Sequence, residues 1–353
     1  MFALVALLPM KAKDRTRYVD ARELTIVGKL FPDMPHFYHR LDTSVYHGFI
    51  PKELTQIIQS SGIAIAFRTD SDRILVKTEY GFRRVGNFAT GIALHGYDLY
   101  IKKDGKWLYA SSGVAADDRQ DQPFTLIGHM DGSMHECLLY LPLYSEVLSV
   151  EIGVDEKSTL EAIDNPFRHR VGIFGSSYTH GAGASRSGLS YPAIFSRSTG
   201  IQLLSLGVSG NSKLQPAFAR ALADADVDAY IFDAFSNPSI AMIEERLFPF
   251  IETIQEKHPD IPLIFMKTIY CEGGNFNLAK RKHGEDRRAF VDKKMAEACR
   301  KYKNVYYIAS TNATSKDHET SIEGTHPNDY GYMLWERSIE KPVLRILRKY
   351  GIR

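Results

Sequence analysis

Cysteine is scarce. Cys137, Cys271 and Cys299 are the only three in 353 residues, and no two form a CxxC pair. That excludes a zinc knuckle or a redox motif of the usual spacing. An odd count leaves at least one thiol outside any internal disulfide, and all three are expected to be buried free thiols. An excess of one charge is missing too: 44 basic against 42 acidic residues give a formal charge of +2. Nothing electrostatic therefore favours nucleic acid as a partner. The apolar run at residues 2–8 falls far short of the ~20 residues of a membrane-spanning helix, so no membrane span is expected. The run is similar to the end of a secretory h-region, with Pro9-Met10-Lys11-Ala12 near a cleavage position, although no basic n-region precedes it. Export to the periplasm or beyond is the expectation. The chain also lacks GxGxxG and a P-loop lysine, which removes the usual nucleotide-binding motifs.

What is present is an ordinary globular composition, 44% hydrophobic and 24% charged. At roughly 100–200 residues per domain, the length calls for two domains. Residues 1–165 read as β-rich. Ile63–Arg68 and Arg73–Thr78 are short β-prone runs joined by Thr69-Asp70-Ser71-Asp72, a segment with hairpin turn chemistry. Tyr97–Ile101 and Trp107–Tyr109 flank an Asp-Gly turn at Asp104-Gly105. Further strands are expected at Phe124–Ile127, Glu136–Leu141 and Val147–Val154, which together argue a β-sandwich. Asp155–Arg170 is polar, contains Asn165-Pro166 and reads as a linker.

Strands and helices then alternate over residues 166–353. The near-continuous apolar runs Val171–Phe174, Ile201–Val208, Ala229–Phe232, Ile261–Ile269 and Val305–Ile308 are what parallel strands buried on both faces require. Ile240, Ile243, Leu247, Phe250, Ile251 and Ile254 recur at helical spacing, and Glu285–Tyr302 and Asp329–Tyr350 are the other long helical candidates. The fold class is therefore α/β: a three-layer α/β/α, flavodoxin-like domain preceded by an all-β sandwich.

Chemistry-bearing residues gather in the turns after these strands. Gly175-Ser176-Ser177-Tyr178-Thr179-His180-Gly181 follows the first parallel strand, where open α/β sheets place their ligands. Gly210 lies in the turn after the second strand, where a backbone N–H can face an oxyanion. Asn237 follows the third strand, where it can donate to the same oxyanion, cap a helix starting at Pro238, or do both. Glu323 stands three residues before His326, ahead of the last helix, a spacing at which a carboxylate can orient an imidazole through Nδ1. Two other clusters are read as structural. His129, His135 and Cys137 lack metal-ligand spacing. Arg281-Lys282-His283 and Arg287-Arg288 are mixed with Glu285 and Asp286, as at a solvated helix start.

In this order the four blocks resemble the SGNH (GDSL-like) hydrolase superfamily over roughly residues 168–350. The resemblance implies Ser177 as nucleophile, His326 as base, and an oxyanion hole from Ser177, Gly210 and Asn237. Ser176 departs from the Asp usual in the first block, and Glu323 from the Asp usual in the last. The acid that orients His326 is thus left open between Glu323, Asp317 and a backbone carbonyl. The N-terminal half, through Tyr38-His39-Arg40-Leu41, Ile65–Ser71 and Gly96-Tyr97-Asp98-Leu99-Tyr100, resembles the jelly-roll domain that precedes some bacterial SGNH carbohydrate acetylesterases. The implied activity is hydrolysis of small acyl esters, acetyl above all, on carbohydrate, with no metal or organic cofactor. The two departures motivate a competing reading, a glycan-binding protein on a retired esterase scaffold. A lipase-like or acyl-thioesterase-like hydrolase is the third.

Overall fold

The computed structural model describes residues 15–116 and 122–353. The apolar run at 2–8 and the segment Pro9–Ala12 lie outside the described residues. The N-terminal half contains β1 (Thr16–Asp20), β2 (Thr25–Val27), β3 (Ala64–Thr69), β4 (Ile74–Arg83), β5 (Tyr97–Lys103), β6 (Lys106–Gly113), β7 (Phe124–Ile127), β8 (His135–Tyr140), β9 (Ser145–Asp155) and β10 (Leu160–Ala162). Short helices α1 (Pro51–Ile57) and α2 (Gly91–His95) interrupt them. The strands form two antiparallel sheets, ordered β1-β9-β4-β7 and β10-β3-β8-β5-β6, with β2 also pairing to β3. Ile65 and Phe67 on one sheet, and Ile74, Val76 and Ile152 on the other, point inward at period two and are completely buried.

Two expectations fail here. Ile63–Arg68 and Arg73–Thr78 are strands, but not a hairpin: β3 and β4 belong to different sheets. The Asp70–Asp72 segment crosses between the layers, and Ser71 Oγ donates to Asp155 at 3.0 Å to fasten the crossing. Turn chemistry marks a reversal but not which sheet the chain re-enters. The polar stretch Asp155–Arg170 is likewise not all linker, because Leu160–Ala162 pairs with β3 and Arg168 already begins the next strand.

The C-terminal half holds β11 (Arg168–Gly175), β12 (Ile201–Gly207), β13 (Ala229–Asp233), β14 (Leu263–Met266) and β15 (Val305–Ile308). Its helices are α3 (Ser177–His180), α4 (Tyr191–Thr199), α5 (Pro216–Ala223), α6 (Ile240–Lys257), α7 (Leu278–Lys301) and α8 (Asp329–Leu347). All five strands are parallel, in the order β12-β11-β13-β14-β15. Alternate residues feed two cores. Phe174, Leu206 and Phe232 pack under α5, α6 and α7, while Ile173, Leu203 and Ile231 pack under α4 and α8. This is the expected three-layer α/β/α fold. Helix α7 begins at Leu278 rather than Glu285, because Asn277 caps it by accepting from Lys280 N at 2.9 Å.

Two buried charges join the halves beneath the strand ends. Arg40 is entirely enclosed and donates to the carbonyls of Gln56, Gln59 (2.8 Å) and Gly207 (2.7 Å), the last at the end of β12. Asp98 on β5, also fully buried, accepts from Arg186 Nη1 at 2.8 Å and from Gly188 N at 2.8 Å. Both donors lie in the loop that follows α3. The same loop carries Gly183, at φ +93°, where an added Cβ would sit 2.2 Å from Pro327 O and 3.3 Å from His326 Cβ. The β-sandwich thus braces the loop on which His326 rests.

Candidate active site

Strand β11 is the point at which the sheet order reverses, so its carboxyl end opens onto a crevice. Gly175 at that end lies in register with Gly207 on β12 and Asp233 on β13. The three turns singled out by sequence therefore leave the sheet side by side. Close packing explains the glycines: a Cβ on Gly207 would approach His180 N to 2.3 Å, and one on Gly175 would approach Thr179 Oγ1 to 2.0 Å. Ser177 opens the single turn of α3, which ends at Gly181 in the left-handed region (φ +99°). As the first residue of that turn, Ser177 has a backbone N–H without an intrahelical acceptor.

Ser177 Oγ lies 2.8 Å from His326 Nε2. On the other side of the ring, Nδ1–H donates to Glu323 Oε1. Glu323 is held by Thr325 N on Oε2 (2.8 Å) and by His326 N on Oε1 (3.0 Å), so the carboxylate curls back over its own turn. That curl absorbs the extra methylene relative to Asp. Burial raises the Glu323 carboxyl, but the charge of His326 and these hydrogen bonds outweigh it and hold the group below the ordinary carboxylate range. Asp317 instead accepts from Ser315 and Glu319 N and does not meet the ring. Tyr178 packs edge-on against His326 at 5.7 Å between centroids.

The chain matches the model of the GDSL-like lipase/acylhydrolase family over residues 168–345. A second model, describing the N-terminus of SGNH-hydrolase-type esterases, matches residues 16–160. The crystal structure of a Bacteroides ovatus protein described as a GDSL-like lipase is 38% identical, with a TM-score of 0.90 over 95% of this chain and 98% of its own. The chain belongs to the GDSL-like lipase/acylhydrolase family. It is an ester hydrolase, with a fold shared more distantly by two other solved structures. The salicylyl-acyltransferase SsfX3 from a tetracycline biosynthetic pathway is 21% identical, with a TM-score of 0.69 over 96% of this chain and 99% of its own. A family two carbohydrate esterase from Cellvibrio japonicus is 12% identical, with a TM-score of 0.61 over 95% and 99%. No match was found among curated proteins.

In this GDSL-like hydrolase the pair Ser177 and His326 lies on the wall of a cavity of about 500 Å³, together with Gly210 and Asn237. Ser177, His326, Glu323, Gly210 and Asn237 are brought together, and Asp317 is not. Asn237 is not a helix N-cap, since α6 starts at Ile240 and is capped by Ser239, which accepts from Met242 N at 3.2 Å. Its Oδ1 accepts from Ser212 N at 3.2 Å, which turns the amide nitrogen away from that contact. Arg84, Phe88 and Tyr144 from the β-sandwich half line the same cavity. Cys271 lines it as well and is only partly buried, while Cys299 is exposed, so Cys137 alone fits the expectation of buried thiols. The helix periodicity around Cys299 did not say which face it would occupy.

One residue was missed. Asp233, at the end of β13 and 1% exposed, accepts from Ser176 Oγ (2.8 Å), Ser176 N (3.2 Å) and Thr179 Oγ1 (3.0 Å). Ser176 Oγ in turn accepts from Tyr178 N at 3.2 Å and caps α3. At position 176, where this chain departs from the usual Asp, Ser176 caps α3 and donates to the carboxylate of Asp233 on the neighbouring strand. Burial pushes the Asp233 carboxyl up to about 6, against the hydrogen bonds from Ser176 and Thr179. Its signal in the sequence was a carboxylate ending an otherwise apolar strand.

Proposed function

We propose that this protein is a serine esterase that removes small acyl groups, acetyl above all, from carbohydrate. Ser177 attacks the ester carbonyl while His326 Nε2 takes its proton, and Glu323 fixes the tautomer and stabilises the imidazolium. The backbone N–H groups of Ser177 and Gly210 and the amide of Asn237 receive the oxyanion. His326 then protonates the departing alcohol. Water, activated by the same imidazole, releases the acid and restores Ser177. No metal or organic cofactor enters the scheme. The observation that carries this reading is the 2.8 Å approach of Ser177 Oγ to His326 Nε2, with Glu323 on Nδ1. It favours an esterase over a binding module on a retired scaffold. The carbohydrate is proposed by analogy with the Cellvibrio japonicus esterase, whose likeness extends to the fold.

We further take residues 1–165 and 166–353 as two domains. Strands up to Ala162 pair only within the antiparallel sheets, and those from Arg168 only within the parallel one. Among the described residues, no helix is long and apolar enough to cross a membrane. Export rests on the apolar run at residues 2–8 and the Pro9–Ala12 segment after it, and is tested by cell fractionation. The activity is tested by acetate release from acetylated xylan and from 4-nitrophenyl acetate. Wild type is expected to be active, and Ser177→Ala and His326→Ala are each expected to lose at least about a thousandfold. An inert, folded wild type on both substrates contradicts the proposal.

A further inference from the structure

The first half of α7 carries charges that the ester chemistry does not use. Along the sequence its signs are mixed, but on the helix they separate. Lys282 and Asp286 pair with each other on the exposed side. Lys280, Arg281, Gly284, Arg287 and Arg288, spaced as one helical stripe, line the cavity beside Ser177 and His326. Arg84 reaches the same cavity from the connection after β4. Five cations thus line a space to which, among the described residues, no Asp or Glu contributes.

None of the five forms an ion pair with a carboxylate among the described residues. Arg84 stacks on Phe88 at 4.8 Å, and Arg288 lies over Tyr270 at 5.7 Å. Arg281 donates to the carbonyls of Gly274 and Asn275, and Lys280 donates to Thr325 Oγ1 at 2.8 Å. Arg287 donates to Ser236 O, touches His283, and keeps a buried Nε–H without an acceptor. Burial, joined by the charge of Arg288, lowers the Arg287 guanidinium from its ordinary value. Farther along the same helix the contrast is plain: Lys294 pairs with Glu244 at 2.8 Å. Gathering like charges in a partly dry cavity costs free energy, and an anion docked there offsets that cost. Guanidinium groups suit a carboxylate, which they hold through two parallel hydrogen bonds.

We infer that the ester taken by this cavity is anionic, carrying a carboxylate on its acyl chain or on its alcohol that docks against the α7 cations. The inference rests on the esterase reading of Ser177 and His326. The two positions of the carboxylate are separated with matched pairs of substrates and the full chain. The acyl side is tested by kcat/KM for 4-nitrophenyl hemisuccinate against 4-nitrophenyl butyrate. The alcohol side is tested by acetate release from O-acetylated polygalacturonate against the same polymer with its carboxyls methyl-esterified. In at least one pair the anionic member is expected to be preferred by about tenfold or more. That ratio is expected to fall severalfold at about 0.5 M salt. It is also expected to fall in Arg288→Gln and in Arg84→Gln, two side chains that rest on aromatic rings and make no hydrogen bond among the described residues. Equal or faster turnover of the neutral member in both pairs overturns the inference and leaves the esterase reading standing. Hydrolysis of none of the four substrates overturns both.

Discussion

Replacing Asp98 by alanine removes the carboxylate that pairs with Arg186 where the β-sandwich meets the loop behind His326. Asp98 is fully buried and Arg186 keeps 18% of its side chain exposed, so the arginine is left charged and largely dehydrated, with Tyr100 Oη and the Tyr109 ring in place of a carboxylate. Breaking a buried pair from one side costs about 3–5 kcal/mol. Unfolding entropy of ~2.1 cal/mol/K per residue, over 353 residues, gives roughly 0.7 kcal/mol/K. The expected fall in Tm is therefore about 4–7 °C for a chain that unfolds as one unit. Burial raises the Asp98 carboxyl more than Arg186 lowers it, so the pair itself is not a large net source of stability. Arg186→Met combined with Asp98→Ala is then expected to recover much of the loss. The assay is thermal and urea unfolding of the wild type, both single variants and the double variant, with kcat measured on each. Loosening the loop under His326 is expected to lower kcat more than it raises KM. A single-variant loss below about 1 kcal/mol, or strict additivity of the two changes, refutes the reasoning.

Three other outcomes follow from the site. The Asp233 carboxyl, at about 6 folded against 3.8 unfolded, binds an extra proton in the native state between those values. Its contribution to stability is complete below the lower value and is lost as pH rises through the upper one, by roughly 3 kcal/mol. Urea titrations at both ends of that window should show this slope in the wild type and a flatter one in Asp233→Asn. Glu323→Gln is nearly isosteric but removes the charge facing His326 Nδ1 and one of the two oxygens that accept from the turn, and is expected to lower kcat by roughly 10³–10⁴-fold in steady-state assays. Asn237→Ala, lacking one oxyanion donor, is expected to lose about 10²–10³-fold in kcat with little change in KM.

The α/β half was legible because its strands are buried on both faces and show as unbroken apolar runs such as Ala229–Phe232. The turns after them carry the chemistry, so locating the strands also located Ser177, Gly210 and Asn237. What stayed hidden depends on contacts between distant segments. Asp233 and Ser176 are 57 residues apart and meet only because β11 and β13 are neighbours. The enclosed Arg40 finds its acceptors in two segments, one of them at Gly207. The β3–β4 reversal looked like a hairpin because a turn motif is local and sheet membership is not. The basic stripe of α7 was masked by Glu285 and Asp286, which lie between its residues in sequence and do not line the cavity.

The central claim is that Ser177 is a nucleophile activated by His326. It is tested most directly by treating the full chain with a fluorophosphonate probe and mapping the adduct by peptide mass spectrometry. Stoichiometric modification of Ser177 is expected, much slower in His326→Ala and absent in Ser177→Ala. A folded wild type that stays unlabelled, or a label mapped to another serine, contradicts the claim.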